Sequence, residues 1–194
     1  MIVRLPLSRP RVVYDLGCGP GNSTALLKQA YPAARIIGID RSPAMIAKAK
    51  QSVAGVEFRS QDVTLWPPDR EADLVFANAL FQWVPQHGEI LKRILHAMKK
   101  EAVLAVQMPD NLAEPSHLAM AEVAEQGPWA HKLSKLRELR SEIHEAVDYF
   151  DLLKPQCTDL DIWHTLYQHQ VDGHDGIIVM LSSTRLKAYI DLLH

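Results

Sequence analysis

The run Asp15-Leu-Gly17-Cys-Gly19-Pro-Gly21-Asn-Ser-Thr24 combines an acid, three alternating glycines and two hydroxyls within ten residues. It follows a short apolar segment and precedes a helical pattern, the setting in which a glycine turn grips a ligand. Glycine lets a ligand come close to the backbone. The helix N-terminus offers unpaired N–H groups and partial positive charge to an anionic group. The spacing is G-x-G-x-G, whereas a dinucleotide-binding turn reads G-x-G-x-x-G and would need glycine where this chain has Asn22. Asp15, two residues before the first glycine, would repel a pyrophosphate and welcome an ammonium. Asp40 closes the next apolar segment, where an acid can accept hydrogen bonds from a ribose diol. Asp62, in Ser60-Gln-Asp-Val63, follows the third. Ligands of open α/β sheets bind at the C-terminal ends of the strands. Three strand-end carboxylates therefore suit a ligand with an amine, a ribose and an exocyclic amino group.

The elements that must position these acids are legible as alternating strands and helices. Val12–Asp15, Arg35–Ile39, Val56–Phe58, Asp73–Ala77 and Ala102–Val106 read as strands. Asn22–Tyr31 reads as a helix stopped by Pro32, and Ser42-Pro43 as the cap and first turn of another, with Met45, Ile46, Ala49 and Val53 apolar. Ile90, Leu91, Ile94, Leu95 and Met98 repeat at helical spacing. This alternation predicts an α/β fold: a Rossmann-like, doubly wound, mostly parallel sheet with helices on both faces. After Pro109 the pattern becomes helical. Pro115–Gln126 reads as one helix, stopped by Gly127-Pro128, and Leu136, Leu139, Ile143, Val147 and Phe150 as a second amphipathic helix. Together they suggest a helical cap over the ligand edge. Leu160–Gln170 reads as a strand, and Asp175–Leu181 as a helix in preference to a hairpin strand. Residues 1–194 are read as one domain, with a cofactor-binding half at about 10–110, cap helices at about 114–153, and a C-terminal strand and helix at 158–194.

Composition narrows the class. The chain has 194 residues, enough for one domain with its own core. Its net charge of −2 and lack of a basic stripe argue against nucleic acid. No apolar run approaches the roughly 20 residues of a membrane span, and the start is too short for a signal peptide. The two cysteines, Cys18 and Cys157, suit a reducing, cytoplasmic setting. No metal site is expected: there is no H-E-x-x-H or C-x-x-C, and a strand would put His164 and His169 on opposite faces.

The residues point further. Val13-Tyr-Asp-Leu-Gly-Cys-Gly-Pro-Gly-Asn-Ser-Thr, Gly38-Ile-Asp-Arg-Ser-Pro-Ala-Met-Ile46, Phe76-Ala-Asn-Ala-Leu-Phe-Gln-Trp-Val-Pro85, Ala105-Val-Gln-Met-Pro-Asp-Asn111 and Asp161-Ile-Trp163 resemble the class I S-adenosylmethionine-dependent methyltransferases, and within them the trans-aconitate methyltransferase family. The glycine turn is specific only to the superfamily; the Gln-Trp-Val-Pro and Val-Gln-Met-Pro-Asp-Asn blocks are narrower. The resemblance implies that Asp15, Gly17 and Gly19 line the methionine end of S-adenosylmethionine. Asp40 would hold the ribose, with Arg41 and Met45 flanking the adenine. Asp62 would accept from the adenine amino group, and the Val63 N–H would donate to its ring. Asn78 and Ala79 would sit near the sulfonium and Trp83 near the pocket wall. Read alone, Met45 suits core packing equally well, and Trp83 suits a wedge between helix and sheet.

The implied acceptor is a carboxylate of a small polycarboxylic acid, trans-aconitate in this family, giving a methyl ester and S-adenosylhomocysteine. Such a carboxylate is already ionised at pH 7, so no catalytic base is expected. The acceptor's other carboxylates call for cations. His87 and His117, after strands four and five, are the favoured candidates, ahead of Lys132, Lys135, Arg137 and Arg140. Against the family pattern, the chain starts close to the first strand and ends at His194, and His164 stands where relatives have Arg. Missing lid helices, a missing last strand and weaker cofactor retention are therefore expected, with a homodimer through an exposed sheet edge as one way of covering that edge. Sequence leaves two alternatives open: a methyltransferase of this fold with another small acceptor, or a truncated, non-catalytic cofactor-binding module.

Overall fold

The parallel sheet forms because its strands are apolar on both faces, as strands buried between helices must be. The structure, a computed structural model, describes residues 1–133, 143–182 and 185–193. Strands β1 (Val12–Leu16), β2 (Arg35–Asp40), β3 (Glu57–Ser60), β4 (Leu74–Asn78) and β5 (Val103–Gln107) lie in the order β3-β2-β1-β4-β5, all parallel. The order reverses between β1 and β4, the switch point where such sheets bind ligands.

Alternation along each strand builds two cores. Tyr14, Leu16, Ile37, Ile39, Val75 and Ala77 enter one cluster, with Ile90, Leu91 and Ile94 of α3 (His87–Ala97) and Tyr149 and Leu153 of α6 (Ala146–Leu153). Val13, Ile36, Leu74, Phe76 and Ala105 enter the other, with Leu27 of α1 (Asn22–Ala30) and apolar N-terminal residues Met1, Ile2, Leu5 and Leu7. Helix α2 (Pro43–Ser52) packs Ile46 and Ala49 on Cys18 and Phe58. It starts as the sequence predicts: the Ser42 hydroxyl accepts from Met45 N, and Pro43 opens the first turn.

The chain divides into two compact units where the sequence reading has one domain. The first is Met1–Pro109 with Ser141–Asp161. The second is Asp110–Arg140 with Ile162–His194. The second contains α4 (Pro115–Gln126), α5 (Ala130–Leu133), α7 (Gly173–Ser182) and α8 (Arg185–Leu193), around Ala124, Leu133 and Tyr189. Helix α4 has the bounds read from sequence, and α7 covers the predicted Asp175–Leu181 helix.

Two expectations are corrected. The amphipathic helix over Leu136–Phe150 is not continuous: residues 143–145 are non-helical and α6 begins at Ala146. A capping box sets that start, the Glu145 side chain accepting from Asp148 N while Asp148 Oδ2 accepts from Glu145 N at 3.2 Å. Leu136 and Leu139 lie outside the described residues. The span read as cap helices is therefore split, α4 and α5 in one unit and α6 in the other, packed on α3. The second correction is Leu160–Gln170, which is no strand; the segment has no regular structure and nearly all its residues are exposed. A strand exists only with a neighbour to take its N–H and C=O groups, and among the described residues this one has none.

Two substitutions measure how unevenly stability is distributed. Ile37 is fully buried in the central sheet, so Ile37→Ala is expected to lower the unfolding free energy by about 2–5 kcal/mol. Val179 on α7 is 71 % exposed, so Val179→Ala should change it by less than about 0.5 kcal/mol. Urea titration followed by fluorescence checks both.

Candidate functional site

The site begins with a carboxylate that water does not reach. Asp15, on β1, is fully buried. Its Oδ2 accepts from Ser23 Oγ at 2.8 Å and from Thr24 Oγ1 at 2.5 Å, both on the first turn of α1. Its Oδ1 is buried with no hydrogen-bond partner among the described residues. Burial pushes the Asp15 pKa up to about 6; the Thr24 and Ser23 hydroxyls oppose the shift, and the nearby Asp40 charge adds to it.

The glycine turn wraps the end of this strand. Gly17 has φ +67°, and a Cβ there would lie 2.7 Å from Leu80 Cδ1, so glycine is required on both counts. Gly19 has φ +53° and open space where its Cβ would be, which is room for a ligand against bare backbone. Its N–H donates to Asp40 Oδ2 at 3.0 Å, and Ser42 N donates to Asp40 Oδ1 at 2.8 Å. The acid at the end of β2 thus reaches the turn at the end of β1. Arg41 is exposed beside it, and Met45 is half-buried in the first turn of α2.

After β3, Asp62 Oδ1 accepts from both Thr64 N and Thr64 Oγ1 at 2.8 Å. These bonds, with the Arg41 charge in support, hold its pKa below the usual carboxylate range despite some burial. Val63 is buried. Asn78, the last residue of β4, is exposed, and Ala79 after it takes φ +55°, an uncommon state for a residue with a side chain. Two bonds hold Ala79 there: its N–H donates to Gln107 O at 3.0 Å, and its carbonyl accepts from Gln82 Nε2 at 2.8 Å. Trp83 is half-exposed in the 3-10 turn that follows. An open cavity of about 540 Å³ adjoins this end of the sheet, its lining including Asn22, Ser23, Leu26, Phe76 and Asn78.

The two histidines lie in different units. His87 opens α3 and is 1 % exposed. Its Nδ1 lies 3.2 Å from Val84 O, which can only accept, so Nδ1 carries the proton and Nε2 accepts from Tyr149 OH at 2.6 Å. Burial lowers its pKa, which favours the neutral ring. As placed here, His87 joins α3 to α6 through Tyr149. His117 lies on α4 in the other unit, mostly buried, with Ser116 Oγ 3.3 Å from Nδ1. Lys132 is exposed on α5; Lys135, Arg137 and Arg140 lie outside the described residues.

Ser23 and Thr24, whose hydroxyls hold the Asp15 carboxylate, are not among the residues expected from sequence. Hydroxyls in the first turn after a glycine loop, next to an acid that must be buried, were the available signal. Gln82, 2 % exposed with Oε1 unpartnered among the described residues, carried no such signal, because only the fold shows that it is buried.

The raised Asp15 pKa fixes the sign of a pH effect. Below about pH 4 the carboxyl is protonated in folded and unfolded chains alike. Between about 4 and 6 the unfolded chain ionises first, so Asp15 costs the folded state increasing stability as pH rises. Asp15→Asn is therefore expected to match the parent below pH 4 and to gain stability progressively up to pH 6. Above that it should hold a constant advantage on the order of 3 kcal/mol. Thermal or urea unfolding across pH 4–8 measures the difference, and a constant gap would contradict it.

Comparison with known proteins bears on the identity of this site. A family profile described as "Methyltransferase domain" matches residues 8–171. A protein of Rhodopseudomonas palustris named trans-aconitate 2-methyltransferase is 45% identical over 193 residues, covering 100% of this chain and 75% of that protein. One of the same name from Escherichia coli is 44% identical over 191 residues, covering 98% and 73%. Among solved structures, human N-acetylserotonin methyltransferase superposes with a TM-score of 0.53 at 22% identity, over 80% of this chain and 44% of that one, which supports the fold. On the extent and identity of these matches, the chain belongs to the S-adenosylmethionine-dependent methyltransferases, within the family of proteins named trans-aconitate 2-methyltransferase.

Proposed function

We propose that this chain transfers the methyl group of S-adenosylmethionine to a carboxylate of a small polycarboxylic acid, trans-aconitate in the first instance, forming a methyl ester. The observation that supports the cofactor assignment is the buried Oδ1 of Asp15, without a partner among the described residues, in a turn where Gly19 leaves open space. An acceptor oxygen sealed from water is costly until a donor reaches it, and an ammonium is the donor that also relieves a strained negative charge. The acceptor assignment follows the names of relatives about 45% identical over the whole chain.

In this reading, Asp15, Gly17 and Gly19 receive the methionine end. Asp40 takes the ribose hydroxyls: a carboxylate has roughly four acceptor positions, so its two backbone bonds leave capacity. Asp62 takes the adenine amino group and the Val63 N–H its ring, with Arg41 and Met45 on either side. Asn78, Ala79 and Trp83 border the reacting centre, with Ala79 held in its left-handed state by Gln107 and Gln82. The cofactor supplies an electrophilic methyl on a positively charged sulfur. The acceptor carboxylate is an anion at neutral pH, so the chain's residues orient, desolvate and exclude water, and none has to remove a proton. A homodimer through an exposed sheet edge is compatible with this chemistry and not required by it.

Incubation with methyl-labelled S-adenosylmethionine and trans-aconitate is expected to yield a base-labile labelled ester, with kcat flat from about pH 7 to 9 because the acceptor is fully ionised. Label in other acids but never in aconitate would replace the acceptor. No transfer to any acid, with cofactor bound, would overturn the reading. Asp40→Ala should weaken S-adenosylhomocysteine binding by more than about tenfold, as loss of a charge-assisted pair of bonds implies.

A further inference from the structure

Arg93, on the second turn of α3, directs its guanidinium at the backbone of the loop that follows β3. Nη1 donates to Thr64 O at 2.9 Å, and Nη2 to Val63 O at 3.2 Å, with Trp66 O at 3.5 Å. Among the described residues it makes no ion pair. A planar fork of five donors suits several carbonyls at once as an ammonium does not.

The bonds fall where they immobilise consecutive peptide planes. The peptide between Val63 and Thr64 is held at both ends: its carbonyl by Arg93, and its N–H by Asp62 Oδ1. The next, between Thr64 and Leu65, is held likewise: its carbonyl by Arg93, and its N–H by Asp62 O at 3.2 Å. Because each peptide is planar, two held ends leave these two planes little freedom. The Val63 N–H lies on the preceding peptide, whose carbonyl, Asp62 O, accepts from Leu65 N, so Arg93 steadies it one peptide removed, together with the Asp62 carboxylate that Thr64 N and Oγ1 hold. On the other side of the loop, Trp66 is buried against Tyr14, ring centroids 5.1 Å apart, and Tyr14 OH donates to Asp69 at 2.7 Å. The core anchors the end of the loop; Arg93 holds its start.

We infer that Arg93 is a positioning residue for the adenine end of the cofactor, acting through Asp62 and Val63 without touching the ligand. This rests on the reading that those two residues hold the adenine. A guanidinium on α3 thus ties the helix after β4 to the loop after β3, making cofactor affinity depend on a residue outside the pocket.

The test compares Arg93→Gln, Arg93→Lys, Asp62→Ala and Lys99→Ala by calorimetric titration of S-adenosylhomocysteine and by steady-state kinetics. Lys99 is the control, because it holds the far end of the same connection through Glu71 O at 2.9 Å and Asp73 Oδ1 at 2.6 Å. Arg93→Gln is expected to raise Kd and the cofactor KM about tenfold, the scale of losing charge-assisted bonds, with kcat and the acceptor KM unchanged. Arg93→Lys should fall between, and Lys99→Ala should match the parent. Arg93 is exposed, and thermal melts confirm that each variant is folded. Loss of affinity in Asp62→Ala but not in Arg93→Gln overturns the inference while sparing the adenine reading. Equal losses in Arg93→Gln and Lys99→Ala also overturn it, since loosening of the connection would then explain both. Unchanged affinity in Asp62→Ala overturns the adenine reading and this inference with it.

Discussion

The carboxylate of Asp15, closed off from water and held by two hydroxyls of the next helix, is the constraint on which the rest of the site depends. It ties the end of the central strand to the first turn of α1. The glycine turn between them must then be tight, with Gly17 packed under Leu80 and Gly19 facing open space. The cost is an ionised group in a low-dielectric setting with one oxygen unanswered. A purely structural acid would be expected to have both oxygens satisfied. One left wanting a donor, on the strand at a sheet's switch point, is what a ligand site needs.

The sheet explains why acids so far apart in sequence act together. Parallel strands in register put their C-terminal ends on one side, so Asp15, Asp40 and Asn78 end adjacent strands or their turns. Each loop is then restrained by a different device. Asp40 joins two turns through backbone N–H groups, Gln82 and Gln107 hold Ala79, and Arg93 with Thr64 holds the residues after β3. These restraints are polar and lie at the rim, while the apolar alternation beneath them supplies the stability.

This division suits the proposed methyl transfer to an anion. An acceptor of that kind needs no proton removed, so the demands on the chain would be orientation and exclusion of water. Rigid loops on a rigid sheet meet the first. His87 shows what the fold adds to a residue type: buried at the start of α3, it links the Val84 carbonyl to the Tyr149 hydroxyl.

The amino-acid sequence by itself determined the five strands, the glycine turn and the three strand-end acids, because period, breakers and local spacing are properties of a few neighbouring residues. It determined α4 and the helical choice for 175–181 for the same reason. Tertiary structure alone decided which oxygen of Asp15 is orphaned, that His87 is sealed, that Gln82 is buried, and that Arg93 meets the loop 27–30 residues before it. It also decided that 160–170 is not a strand and that α6 starts at a capping box. Burial and pairing depend on neighbours distant along the chain: a strand is one only when another lies beside it, and a polar atom is unanswered only when the whole fold has closed around it.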